Sequence, residues 1–171
     1  MEGLMGKIPS WDVFIGLTFV LGIAYGFILK REKTITILCS TYIAMVMAGS
    51  FTDYVFQFFQ GNKVIANQIW VKGNLSSSTV AIALFLIVLF FVSGAINSAS
   101  SGGGDLSPVE VIVYCALTMA LIISTIIGFL PEATRGNIIS SSKVASIIYG
   151  LRTLWIIAPP ISLVLLNFRR K

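Results

Sequence analysis

Four long apolar runs, separated by short polar or charged segments, organise the chain. The fourth run opens with Ser107, Pro108 and Glu110, which provide an N-cap, a first-turn proline and a capping glutamate for a helix. A membrane-crossing helix needs about 20 mostly apolar residues, and the alternating pattern of a membrane β-barrel is absent from these runs. The pattern predicts an all-α integral membrane protein with four transmembrane helices, at residues 13–29, 34–58, 78–99 and 109–130.

The C-terminal segment, residues 141–168, supports two interpretations. Its apolar residues recur at helical spacing, which favours an amphipathic helix at the membrane surface. Alternatively, Pro159 and Pro160 kink a fifth hydrophobic helix that crosses the membrane. Arg152 opposes that span without excluding it, because an arginine at the centre of a spanning helix costs about 2.5–3.5 kcal/mol. We favour the surface helix, whose apolar residues are Val144, Ile147, Ile148, Leu151, Leu154, Trp155 and Ala158.

The composition strengthens the membrane prediction. The chain is 56% hydrophobic and 11% charged, whereas soluble domains carry about 25% charged residues. We therefore expect a single membrane domain over residues 1–171, with the lipid bilayer as its main partner. Its basic residues flank apolar runs instead of alternating with aromatic residues, which argues for membrane topology and against nucleic-acid binding.

Catalytic chemistry has little support in the sequence. The chain contains no histidine, which removes histidine metal sites and Ser-His triads. No recognised catalytic, metal or nucleotide motif occurs in a usable context. The sequence therefore predicts a protein that is not an enzyme and that has no cofactor and no bound metal.

The distribution of charge predicts an orientation. Lys30, Arg31 and Lys33 follow the first run and favour the cytoplasmic side. The N-terminus, the loop 59–77 and residue 131 are then outside, while the Gly/Ser-rich link 98–107 is inside. A fifth span would also bring the basic residues 169–171 inside, which agrees better with the same rule.

Small residues recur every fourth position on several of the runs. Lipid provides no hydrophobic drive for helix association, so helices pack closely along such faces. We expect these residues to pack within the chain, with a homo-oligomer interface as the alternative. The helix-packing candidates are Gly22 and Gly26 in the first run, Ser40, Ala44, Ala48 and Thr52 in the second, Gly94 in the third, and Ala116, Ala120, Ser124 and Gly128 in the fourth.

Five polar residues near or within the apolar runs are candidate functional groups, since intramembrane polar residues often mark function. Asp12 and Asp53 are predicted at similar depth on the outer side, where they would form an acidic vestibule for a cation or contact a partner. The simpler interpretation is that both mark hydrated helix ends, with Asp12 favoured by the positive N-terminal end of its helix. The candidates are Asp12, Asp53, Gln57, Asn97 and Arg152.

The order of these features resembles the colicin V production protein family, CvpA. Trp11 and Asp12 precede the first run, which ends in Gly26 and Phe27 followed by charged residues. The third run, "IALFLIVLFFVSGAIN", resembles the family's apolar segment ending in Gly-Ala and Asn. Residues 140–155 resemble its Ser-rich approach to an amphipathic C-terminal helix. The opening of the fourth run and the segment 159–168 depart from the family pattern.

The resemblance implies a bacterial inner-membrane protein that supports envelope homeostasis, tolerance of bile-type detergents, and colicin V or toxin export. The family offers no catalytic residues to carry over. Two other functions fit the residues. One is a small oligomeric channel subunit lined by Thr52, Asp53 and Gln57, and the other is a membrane scaffold of a pilus or secretion machine.

Overall fold

The structure, a computed structural model, describes residues 11–28, 31–59, 76–99 and 108–169. Within them the chain forms seven α-helices and no β-strand, which confirms the all-helical prediction. The fourth helix begins at Pro108, the residue expected at the first helical position. The helices are α1 (Trp11–Ile28), α2 (Arg31–Phe59), α3 (Ser77–Ala99), α4 (Pro108–Phe129), α5 (Glu132–Ser141), α6 (Lys143–Gly150) and α7 (Arg152–Arg169).

Three helices are long and apolar enough to cross a membrane. They occupy Lys33–Phe59 in α2, Ser77–Ile96 in α3 and Val109–Phe129 in α4, and they correspond to the second, third and fourth apolar runs. The first run also forms a helix, but its apolar part, Trp11–Gly26, is shorter than the other three. Membrane-crossing character is therefore shown for three of the four runs by length and composition.

The C-terminal segment is a broken helix instead of one continuous amphipathic helix. The apolar series from residue 144 to residue 158 is divided at Leu151, where α6 and the part of α7 from Arg152 to Val164 meet at a bend of 61°. Pro159 and Pro160, the expected kink, lie inside α7. The break comes directly after Gly150, a residue that weakens a helix because it loses the most backbone entropy on folding.

The chain divides into two compact units, and the predicted single domain stays a prediction. The first unit contains Met1–Thr34 and Gly104–Lys171, and the second contains Ile35–Gly103. The first therefore holds α1 and α4 to α7, with only the start of α2. The second holds the rest of α2 and all of α3.

In the first unit, α4 is the central helix and contacts α1, α6 and α7. Ile15 near the start of α1 clusters with Ile127 near the end of α4, whereas Gly26 near the end of α1 faces Cys115 near the start of α4. The two helices therefore run antiparallel. Residues of α6 complete the apolar cluster, whose buried members are Ile15, Ile123, Ile127, Ile138, Ala145 and Ile148.

Arg152, the first residue of α7, lies beside Gly128 near the end of α4, and α7 packs against α4. Seven residues further along α7, the side chain of Pro159 is fully buried. The seventh helix therefore turns back along α4 and runs antiparallel to it. The position of α7 relative to a membrane, at its surface or across it, stays a prediction.

Large apolar side chains are exposed on the helices of both units. In the second unit, Phe90 is 78% exposed, and in the first unit Val20 is 63% exposed. A soluble monomer seldom exposes an apolar patch larger than about 300–600 Å². Side chains exposed in this way are suited to contact with lipid or with another apolar surface, as the composition indicated.

Candidate functional site

One end of the first unit gathers polar side chains from four helices. Because α1 is antiparallel to α4, the start of α1 lies near the end of α4, and the chain then continues directly into α5, α6 and α7. We call this region the polar end. Its members are Asp12, Gly128, Glu132, Arg135, Ser142, Lys143, Tyr149, Arg152 and Trp155.

Asp12 on α1 binds the N-terminus of α6. Its Oδ1 accepts a hydrogen bond from the Ser142 hydroxyl at 2.6 Å and another from the Val144 backbone N–H at 3.1 Å. The Ser142 oxygen in turn accepts a bond from the Ala145 N–H at 3.0 Å, which makes Ser142 the N-cap of α6. Two of the N–H groups that a helix start leaves without partners are therefore satisfied.

These bonds keep Asp12 in its charged form. The hydrogen bonds from Ser142 and Val144 lower the pKa of the Asp12 carboxyl, and the nearby Lys143 ammonium lowers it further against the opposing effect of desolvation. The residue comes immediately before the apolar run 13–29 and is only partly exposed. A carboxylate with a lowered pKa is a poor general base. Asp12 and Ser142 are therefore better suited to capping α6 than to catalysis.

Arg135 on α5 reaches back to the end of α4. Its Nη1 donates to the Gly128 carbonyl oxygen at 3.5 Å, and its guanidinium carbon lies 5.4 Å from the centre of the Tyr149 ring. Its Nη2 lies 3.6 Å from Oε1 of Glu132, whose side chain is 94% exposed. The carbonyl contact partly satisfies the C-terminal end of α4, which carries partial negative charge.

Arg152 contacts the same glycine from the α7 side. A Cβ placed on Gly128 would lie 3.0 Å from both Cζ and Nη1 of Arg152, so the missing side chain makes room for the guanidinium. Three residues later, the Trp155 indole N–H donates to the Ile148 carbonyl oxygen at 2.9 Å. That bond satisfies a carbonyl that the break after α6 would otherwise leave unpaired.

The polar end is therefore a set of helix caps made by side chains from other helices. No group of three or more His, Cys, Asp or Glu residues that could hold a metal ion occurs among the residues that the structure describes. Nor does a histidine occur in the chain to act as a base beside Ser142. The arrangement positions helices and leaves two arginine side chains near one membrane-helix end.

The predicted acidic partner of Asp12 lies in the other unit. Asp53, Gln57 and Gly49 are exposed on α2, whereas Thr52 is buried and its hydroxyl donates to the Ala48 carbonyl. From Lys33 to Asp53, α2 rises about 30 Å at 1.5 Å per residue, which matches the thickness of a bilayer hydrocarbon core. Asn97 lies in α3, and its side chain is outside what the structure describes.

The small residues on α1 and α4 lie where these two helices approach each other. A Cβ on Gly22 would overlap the Met119 side chain, and a Cβ on Gly26 would overlap the Cys115 sulfur. On α4, Ala120 and Ser124 are buried, while Ala116 and Gly128 are half-buried.

In the second unit, the small residues of α2 are buried and Gly94 of α3 is exposed. On α2 the predicted face is buried, with Ser40, Ala44 and Ala48 at 0% exposure and Thr52 at 8%. Gly94 on α3 is exposed and has no atom within 4 Å of an added Cβ. Gly94 therefore makes no close helix contact within the part of the chain that the structure describes.

Six residues of the polar end were absent from the predicted candidates, namely Glu132, Arg135, Ser142, Lys143, Tyr149 and Trp155. The sequence does point to an N-cap near Ser142, because a serine before a helical apolar series is an N-cap pattern. However, Ser141 and Ser140 offer the same pattern one and two residues earlier. Arg135 and Tyr149 follow no motif. They meet only because the turn after α4 returns α5 and α6 to its end.

Comparisons with known proteins identify no relative. No protein-family model matches the chain, and neither a curated protein nor a solved structure matches it. The resemblance to the colicin V production family therefore rests on the residues quoted above.

Proposed function

We propose that the protein is a non-enzymatic, multi-pass protein of the bacterial inner membrane. The observation that carries this proposal is the presence of three membrane-length apolar helices whose large side chains are exposed along the surface. Only helices or closed barrels satisfy their backbone in lipid, and the described residues form helices. The capped polar end supports a structural role.

Two further helices enter the membrane in this proposal. α1 and α7 each contain 18 residues, a length of about 27 Å, and both pack antiparallel to the membrane-length helix α4. The hydrocarbon core is about 30 Å thick. The proposal therefore has five membrane segments and replaces the surface helix that the sequence pattern favoured.

Arg152 does not oppose this arrangement. It lies beside Gly128, one residue before the end of the α4 span at Phe129. The cost of about 2.5–3.5 kcal/mol applies to an arginine at the helix centre, and an arginine at the interface avoids most of it. A returning α7 also brings residues 169–171 to the side of Lys30, Arg31 and Lys33, as the positive-inside rule favours.

The role proposed within the membrane is support of envelope homeostasis or toxin export, as in the colicin V production family. Gly26, one of the residues that carry that resemblance, is also the residue at which α1 approaches α4. The polar end then lies outside, and the basic chain segments lie in the cytoplasm. The protein would act by holding or assembling other membrane components.

Cysteine labelling tests the five-segment topology. In a chain with Cys39→Ala and Cys115→Ala, single cysteines are introduced as Glu32→Cys, Lys171→Cys and Glu132→Cys. An impermeant maleimide applied to intact cells should label position 132 and leave 32 and 171 unlabelled until the membrane is opened. Labelling of 171 together with 132 would reject the fifth segment, and release of the protein by alkaline carbonate would reject membrane integration.

A second candidate function, a small oligomeric channel, is favoured by the exposed face of α2. Gly49, Asp53 and Gln57 share that face at four-residue spacing. Asp53→Lys should change the cation selectivity of the protein reconstituted in a planar bilayer, with Asp12→Asn as the comparison variant. Absent or unaltered conductance would remove this candidate and leave the structural role.

A further inference from the structure

Two positively charged side chains meet at one glycine of the polar end. Arg135 approaches the Gly128 carbonyl from α5, and Arg152 lies against the Gly128 Cα position from α7. Guanidinium groups are charged at every physiological pH, so this pair is repulsive unless negative charge is close by. The fold therefore concentrates positive charge at the end of α4.

The protein supplies little negative charge to this pair. Glu132 pairs with Arg135 at 3.6 Å, but its side chain is 94% exposed, and such ion pairs are weak. Arg152 forms no ion pair within the described residues. The negative end of the α4 dipole contributes one carbonyl contact to Arg135, at 3.5 Å.

The hydrogen-bonding capacity of the pair also exceeds what the protein uses. Each guanidinium carries five N–H donors in a planar fork that matches phosphate oxygens. The structure gives Arg135 one hydrogen-bond acceptor, the Gly128 carbonyl oxygen, and one ion-pair partner, the Glu132 carboxylate. Most donors of the two arginines therefore remain available to a ligand that brings several oxygen atoms.

The depth of the pair matches that of lipid headgroups. Gly128 is one residue from the end of the Val109–Phe129 span, Arg135 lies over the Tyr149 ring, and Trp155 follows Arg152 by three residues in α7. Tyrosine and tryptophan are typical of the headgroup layer. The planar guanidinium group of an arginine at this level matches the oxygen atoms of a headgroup phosphate.

From these observations we infer that Arg135 and Arg152 bind the phosphate of an anionic glycerophospholipid at the polar end. The inference rests on the proposed membrane location. Both guanidinium groups donate to the phosphate oxygens, and the Tyr149 ring holds Arg135 in place through a cation–π contact. The bound lipid neutralises the like charges and holds α5 and α7 against the end of α4.

Native mass spectrometry of the protein in mild detergent tests this site. The protein is mixed with phosphatidylglycerol or with phosphatidylcholine, and the retained lipid is counted for the wild type, Arg152→Gln and Lys33→Gln. Lys33 precedes Thr34, whose hydroxyl lies 3.9 Å from the Cys115 sulfur near the start of α4, so its substitution changes net charge equally at the end of α4 away from Gly128. We expect phosphatidylglycerol retention to fall about tenfold in Arg152→Gln, the effect of a lost charge-assisted contact, and to be unchanged in Lys33→Gln.

A second arginine variant and two binding controls test the same site. Arg135→Gln should lower retention in the same way, and it replaces Arg152→Gln if that variant does not fold. Equal retention by both arginine variants and Lys33→Gln would overturn the inference. So would equal retention of the two lipids, or saturable binding of inorganic phosphate without any lipid. Alkaline carbonate extraction of the wild type tests the membrane proposal by itself. Release of the protein from membranes would reject the membrane location, whereas a retained protein whose arginine variants keep the lipid would reject only the lipid site.

Discussion

Replacement of Gly26 by alanine tests the closest approach between α1 and α4. The added Cβ would overlap the Cys115 sulfur and would lie 3.2 Å from the Cys115 Cβ. The sulfur is bonded directly to the Cys115 Cβ, so it can move away only by rotation about the Cα–Cβ bond. Overpacking of this kind costs roughly 1–3 kcal/mol.

The expected loss of stability in Gly26→Ala is reduced by the higher helix propensity of alanine. Alanine is favoured over glycine inside a helix by about 1 kcal/mol, so Gly26→Ala should destabilise the protein by roughly 0–2 kcal/mol in net terms. Gly94→Ala makes the same chemical change in open space and should be neutral or stabilising. The difference between the two variants isolates the overlap, at roughly 1–3 kcal/mol.

The assay is unfolding of the purified protein by titration with sodium dodecyl sulfate, followed by circular dichroism. Adding Cys115→Ala to Gly26→Ala removes the sulfur but keeps the Cβ contact, so the double variant should recover most of the lost stability. A double-mutant cycle then measures the coupling between positions 26 and 115. If Gly26→Ala and Gly94→Ala change the unfolding free energy equally, α1 does not approach α4 at Gly26, and the antiparallel packing of α1 on α4 is wrong.

The polar end supplies two more predictions. Ser142→Ala removes the α6 N-cap and a donor to Asp12, and should lower the unfolding free energy by about 0.5–2 kcal/mol in the same titration. Ser140→Ala, at an exposed serine that bonds only to its own helix, should have little effect. The lowered pKa of Asp12 means that its stabilisation is complete above the ordinary value of 3.8 and is lost as the pH falls through the lower folded value. The melting difference between wild type and Asp12→Asn should therefore shrink on acidification below 3.8, and a constant difference would contradict the bonded carboxylate.

Much of the secondary structure follows from the apolar pattern. The runs predicted at 34–58 and 109–130 correspond closely to α2 and α4, because a long apolar segment in lipid has no alternative to internal hydrogen bonding. The break at Leu151 does not follow from that pattern. Apolar periodicity describes which side chains share a face, but it does not show where the backbone bonds are interrupted.

Asp12 lies at the start of its own helix and caps a different one. A helix-start role was expected from its position before an apolar run, and Asp12 does lie in the first turn of α1. The helix N-terminus that it caps through Ser142 and Val144 belongs to α6, more than a hundred residues later. A helix end can be satisfied by any suitably placed polar group, so sequence position alone cannot name the partner.

The sequence by itself determined the helical class, the apolar runs and the small residues where helices come close. Only the tertiary structure decided that α1 packs on α4, that α7 turns back along α4, and that Arg135 and Arg152 meet at Gly128. The physical reason is that lipid accepts any apolar face, so the hydrophobic pattern marks which helices are apolar enough to cross a membrane without marking which of their faces touch. Shape at small residues and the need to satisfy helix ends choose among those faces, and both depend on residues far apart in the chain.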